Sequence, residues 1–166
     1  QMININETKI LEVNLGGRGG KESLLSEVFS DIKRTNEELF DAIDQNGIKL
    51  EFKKQANTQW FDAGKYHNLP EADRAILMTF ILTTKASKRK NIEAGLIDKI
   101  FTISLGDFLN TLMASEKHKK DGWELSNIET CYEQKKKYKT QQAKLKVDVR
   151  TFLADNLDKV ELVWER

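Results

Sequence analysis

Asp41, Glu51 and Lys53 are side chains that, gathered on one surface, can hold a divalent cation beside a phosphodiester. Their spacing allows a single β-hairpin to gather them. In DAIDQNGIKLEFKK, Asp41 to Lys54, the pair Asn46-Gly47 marks a tight turn between two stretches that alternate apolar and polar with period two. A three-residue loop, Gln45-Asn46-Gly47 with Gly47 left-handed, sets Asp41 opposite Glu51. Leu50 and Phe52 then point towards a core, and Glu51 and Lys53 point with Asp41. Mg²⁺ takes one or two carboxylates, keeps several waters and accepts further oxygens from substrate phosphate. Lys53 would project beside it, where an ammonium orients the attacking water or stabilises developing negative charge. Taken alone, the same residues also fit the solvated face of a charged strand.

The elements around the hairpin read as a mixed α/β (α+β) order, with a mixed central β-sheet flanked by helices. Lys9 to Leu15, KILEVNL, alternates as a short strand and leads into the Gly-rich GGRGG, Gly16 to Gly20. From Ser23, the spacing of Leu24, Leu25, Val28, Phe29 and Ile32 predicts a helix. Ala75 to Thr84 reads as a buried strand preceded by a helical turn at Pro70 to Arg74. Ile97 to Leu105 reads as another, followed by a helix through Phe108, Leu109, Leu112 and Met113. Lys85 to Asn91, KASKRKN, is expected as an exposed excursion between two strands. No internal repeat or Pro/Ser-rich linker interrupts the chain.

At 166 residues the chain has the length of a single domain, 1–166, able to bury a real core. Apolar residues make up 39% and charged residues 32%, which is ordinary for a globular protein with a charged surface. Cys131 stands alone, and nothing reads as a signal peptide or a membrane span, so a cytoplasmic protein without a membrane segment is expected. A net charge of +1 argues against indiscriminate nucleic-acid binding, although acidic groups elsewhere can mask a basic cleft.

The hairpin also carries a longer pattern: Asp41-Ala42-Ile43-Asp44, two residues, Gly47, three residues, then Glu51-Phe52-Lys53. It resembles the active-site hairpin of PvuII-like type II restriction endonucleases, within the PD-(D/E)xK nuclease superfamily. The likeness reaches back through Glu38 to Gly19-Gly20-Lys21 and forward through Tyr66-His67-Asn68 to Pro70. A second patch is KTQQAKLKVDV, Lys139 to Val149, and together these cover about half the chain. The resemblance implies a restriction-endonuclease-like PD-(D/E)xK fold and Mg²⁺-dependent hydrolysis of duplex DNA at a short palindromic site. It also implies a homodimer and a companion DNA methyltransferase acting on the same site. By resemblance Asp41 and Glu51 bind metal, Lys53 positions or activates the nucleophile, and Glu38 assists a metal or its water. His67 and Asn68 fall where the family reads base edges, Asn68 replacing a histidine. Gln141-Gln142 stand where the family has adjacent asparagines in the major groove, and Gln makes the same bidentate pair with adenine at longer reach. Lys65, Lys21 and Arg18 would approach the DNA. The segment before the Gly-rich loop is shorter than the family's dimerising segment, and the C-terminal FLADNLDKVELVW offers apolar residues that could replace it.

Other features lead elsewhere or nowhere. GGRGGKES has the strand-to-helix context expected of a P-loop, but Leu15 stands where that motif needs its first glycine and Glu22 where it needs a hydroxyl. His67 and His118 have no neighbouring ligands at zinc spacing. KKKYK, Lys135 to Lys139, and SKRK, Ser87 to Lys90, either follow phosphate backbone or are solvated faces. Three functions therefore compete: a type II restriction endonuclease; a nicking, repair or structure-specific nuclease of the same superfamily; and a DNA-binding module that does not cleave.

Overall fold

The computed structural model describes residues 3–16, 22–37, 39–62, 70–116 and 144–166. In chain order the strands are β1 (Asn4–Ile5), β2 (Phe29–Ser30), β3 (Ile32–Arg34), β4 (Ala42–Asp44), β5 (Lys49–Gln55), β6 (Thr58–Asp62), β7 (Leu77–Thr83), β8 (Ile97–Ser104), β9 (Lys144–Asp148) and β10 (Glu161–Glu165). The helices are α1 (Glu7–Glu12), α2 (Leu25–Val28), α3 (Leu105–Ala114) and α4 (Val149–Asp155). The apolar run expected between Ala75 and Thr84 becomes β7, buried along almost its whole length because both sheet faces are covered. Six strands form a mixed sheet in the order β10-β8-β7-β5-β4-β3, in which β5 and β7 are parallel and every other pair is antiparallel. The turn before β7 is a 3-10 helix, Glu71–Ala75, and the excursion after it is an exposed hairpin.

Each sheet face has its own core. Met78, Phe80 and Leu82 of β7 face one side, under α3, α4 and the two-stranded ribbon β6-β9. Leu50 and Phe52 of β5 and Ile81 of β7 face the other, against α1, α2 and β2. Phe108 of α3 is the hub of the first core: its ring centroid lies 5.1 Å from Phe61, 5.2 Å from Phe80 and 5.2 Å from Phe152. Arg150 ties this layer to the ends of the interior strands β5, β7 and β8. Its guanidinium donates to the Ala56 carbonyl at 2.9 Å and the Thr83 carbonyl at 3.0 Å, and pairs with Asp98.

Two expectations are corrected. Lys9 to Leu15 is not a strand: Glu7–Glu12 is helical, capped by the Asn6 side chain, which accepts the Lys9 N–H at 3.1 Å. Burial falls on Ile10 and Val13, three apart, while Leu11 is 53% exposed, so the helix and not the alternating pattern decides what is covered. The helix expected from Ser23 ends early, because Phe29 turns extended to pair with β1 and stacks on Phe52 at 5.2 Å. The C-terminal apolar residues go largely into this fold: Leu153 is buried, Val160 packs on the first core and Val163 on the second, leaving Leu157 and Leu162 exposed. Among the described residues, no helix is long and apolar enough to cross a membrane.

Asp148 caps α4, its Oδ1 accepting the Thr151 N–H at 3.0 Å. That backbone hydrogen bond, more than any other influence, holds its carboxyl below the ordinary aspartate value. A depressed folded pKa means stability that is present above the unfolded value, near 4, and is lost as pH falls through the folded one. Removal of this cap by Asp148→Ala should cost about 1 kcal/mol at neutral pH, the usual effect of losing an N-cap side chain. Urea melts of both proteins should show that gap closing in strong acid.

Candidate active site on the β4-β5 hairpin

The expected hairpin forms in the expected register. Ala42 pairs with Leu50 and Ile43 with Lys49, so Asp41, one residue before β4, lies opposite Glu51. The loop is Gln45-Asn46-Gly47, and Gly47 has φ +78°, a left-handed conformation that glycine adopts without steric cost. Asp44 holds this loop: its Oδ1 accepts the Asn46 N–H at 2.8 Å and the Ile48 N–H at 2.9 Å. The sequence offered a signal for that role, an Asp two residues before Asn-Gly, where an Asx turn forms. The other Asp44 oxygen is buried and, among the described residues, has no hydrogen-bond partner.

The parallel neighbour settles which way β5 faces. Glu51 pairs with Met78 and Lys53 with Phe80, which places both on the side of the larger core, while Leu50 and Phe52 enter the smaller one. Glu51 is buried at 5% exposure, and Asp41 and Lys53 are half-buried at the rim. Asp41 is held by main chain: its N–H donates to the Leu50 carbonyl at 2.8 Å, and its Oδ2 accepts the Phe52 N–H at 2.9 Å. Since Phe52 separates Glu51 from Lys53, that bond fixes the Asp41 carboxylate beside the segment that carries the other two groups. Glu51 and Lys53 are two residues apart on one strand face, roughly 7 Å along β5.

Two carboxylates from adjacent strands suit Mg²⁺, which takes few protein ligands and completes its shell with water and phosphate. Among the described residues no three His, Cys, Asp or Glu side chains gather to hold a metal by themselves. Asp41 Oδ2 is engaged with the Phe52 N–H, and among the described residues its other oxygen accepts no hydrogen bond, which leaves a donor atom for a cation. Lys49 shares the Glu51 face but is engaged elsewhere, its Nζ 5.0 Å from the Phe40 ring centroid and 4.0 Å from Asp73 Oδ1. Phe40, Lys49 and Asp73 thus form a wall beside the site that the sequence did not announce, because Asp73 comes from the 3-10 turn before β7.

Of the remaining expected site residues, Glu38, Arg18, Lys21, Lys65, His67, Asn68, Gln141 and Gln142 lie outside the described residues, as does Lys135 to Lys139. Trp60-Phe61 lies on β6, and Phe61 is buried against Phe108, a core role. Comparison with protein-family models, curated proteins and solved structures gives no match for this chain.

Proposed function

We propose that this chain is a Mg²⁺-dependent type II restriction endonuclease that hydrolyses duplex DNA at a short palindromic site. The observation that carries the proposal is the register of the β4-β5 hairpin, which sets Asp41 opposite Glu51 and directs Lys53 to the same face. Asp41 and Glu51 would hold the cation. Bound there, Mg²⁺ supplies a more acidic water and screens charge on the phosphoryl oxygens. Lys53 donates hydrogen bonds to the attacking water or to the non-bridging oxygen on which charge accumulates. The Phe52 N–H keeps the Asp41 carboxylate oriented before substrate arrives, so little reorganisation is needed at the moment of reaction. Glu38 assists the metal or its water, and His67, Asn68, Gln141 and Gln142 read base edges, with Lys65, Lys21 and Arg18 on the backbone. The PD-(D/E)xK fold, a homodimer matching the two-fold symmetry of its site, a cytoplasmic location and a companion methyltransferase complete the reading.

Digestion of a plasmid library in Mg²⁺, with the fragment ends sequenced, tests this reading. One short palindrome at every end is the expected result. Ends that share a structure such as a branch or mismatch, without a common sequence, would transfer the chain to the structure-specific nucleases.

A further inference from the structure

The excursion between β7 and β8 is a built finger. Ser87 and Ile92 exchange both backbone hydrogen bonds, each at 2.9 Å, and Asn91 takes a left-handed conformation, φ +52°, to close the turn. Its root is pinned on two sides. The Thr84 N–H donates to the Leu96 carbonyl at 2.8 Å, the Leu15 N–H donates to the Gly95 carbonyl at 2.7 Å, and Asn14 Nδ2 donates to the Ala94 carbonyl at 3.0 Å. Gly95 has φ +88°, and a Cβ there would collide with Asn14 and the Gly16 backbone, so the crossing requires glycine.

This finger carries Lys85, Lys88, Arg89 and Lys90, all exposed, and no acid occurs between Asp73 and Glu93. Glu93 is turned away from the tip, its Oε1 accepting from Asn14 Nδ2 at 3.0 Å. None of the four cations is among the described residues that form an ion pair. In a chain with net charge +1 this is a local concentration of positive charge, on a support whose geometry is fixed by backbone bonds. A cleft at the root, at the carboxyl ends of parallel strands β5 and β7, is lined by Lys85 of the finger and by Lys54, whose Nζ donates to the Leu15 carbonyl at 2.7 Å.

We infer that this finger is a second DNA contact, which grips the phosphate backbone of duplex away from the cleavage site. The inference rests on the nuclease reading for its choice of polyanion. Its root lies six residues along β7 from Met78, the partner of Glu51, roughly 20 Å at the rise of a strand. That separation lets one duplex lie against both, and duplex DNA has the charge density that unpaired lysines and arginines bind by counterion release. The tip presents cations without a cluster of apolar residues, unlike a segment that inserts into a lipid surface.

The test uses the full chain carrying Asp41→Asn, without divalent metal, and a fluorescent duplex of random sequence at several salt concentrations. Lys88→Gln, Arg89→Gln and Lys90→Gln together should reduce the slope of log affinity against log salt by about 2.7, at about 0.9 for each charge removed. Lys88→Arg with Lys90→Arg should retain the parent slope, and circular dichroism should be unchanged in both. An unchanged slope in the folded triple variant overturns the finger, as does a parent that binds phosphatidylserine vesicles but no duplex. The two readings fail separately. A slope difference in a chain whose Asp41 parent never cleaves keeps the finger and removes the nuclease, whereas cleavage with no slope difference does the reverse.

Discussion

Asp41→Asn and Glu51→Gln should each reduce Mg²⁺-dependent DNA cleavage by on the order of 10³ or more, the loss of several kcal/mol of charge stabilisation at the transferring phosphoryl group. Lys53→Ala should lose about 10²–10³, the usual effect of removing one donor aimed at developing charge. The amide variants are chosen on structural grounds. Asn keeps an oxygen to accept the Phe52 N–H, and Gln fills the space of Glu51, which at 5% exposure would leave a cavity as alanine. Initial rates on a single duplex, with thermal melts to verify folding, check the assignment. Parent-like rates from folded Asp41→Asn or Glu51→Gln would remove both carboxylates from the reaction.

Phe108→Ala should be the most destabilising single change in the described part of the fold. Its ring bridges α3 to the sheet through Phe80, to the ribbon through Phe61 and to α4 through Phe152. Truncation removes all three contacts and leaves a void that three elements border, for an expected cost of about 3–5 kcal/mol. In a domain of this size that lowers Tm by roughly 6–20 °C. Phe152→Ala should cost less, since that residue is 7% exposed and its site can partly relax into solvent. Calorimetry on both variants tests the ranking, and equal losses would show that Phe108 is not the hub.

The hairpin was legible because its information is local. A period-two pattern fixes which side chains share a face, and loop length fixes the register, so Asp41 and Glu51 could be set opposite each other before any long-range contact was known. Strand β7, strand β8 and helix α3 were legible for a related reason: each is a long, strongly patterned segment, and Ser104 caps α3 with its hydroxyl, which accepts the Asp107 N–H at 3.2 Å. What the sequence hid depends on distant partners. KILEVNL alternates like a strand, but the Asn6 cap and the burial of Ile10 and Val13 make a helix of its first part. Phe29 leaves a helical stripe because β1 and Phe52 compete for it. The pairing of β6 with β9, Thr58 with Asp148 at one end, joins segments far apart in the chain, and no local pattern announces it. The same is true of Asp73, which reaches Lys49 from the turn before β7.

Cleavage of both strands of duplex DNA by this hairpin with Mg²⁺ can be followed as a time course on supercoiled plasmid carrying one recognition site. Full-length linear product should appear without accumulation of nicked circles, in Mg²⁺ and not in EDTA, since in the proposed homodimer two copies of the site related by a two-fold axis would act on antiparallel strands together. Nicked circles as the only product would contradict the dimeric restriction mechanism, and plasmid left supercoiled in Mg²⁺ would contradict the nuclease reading itself.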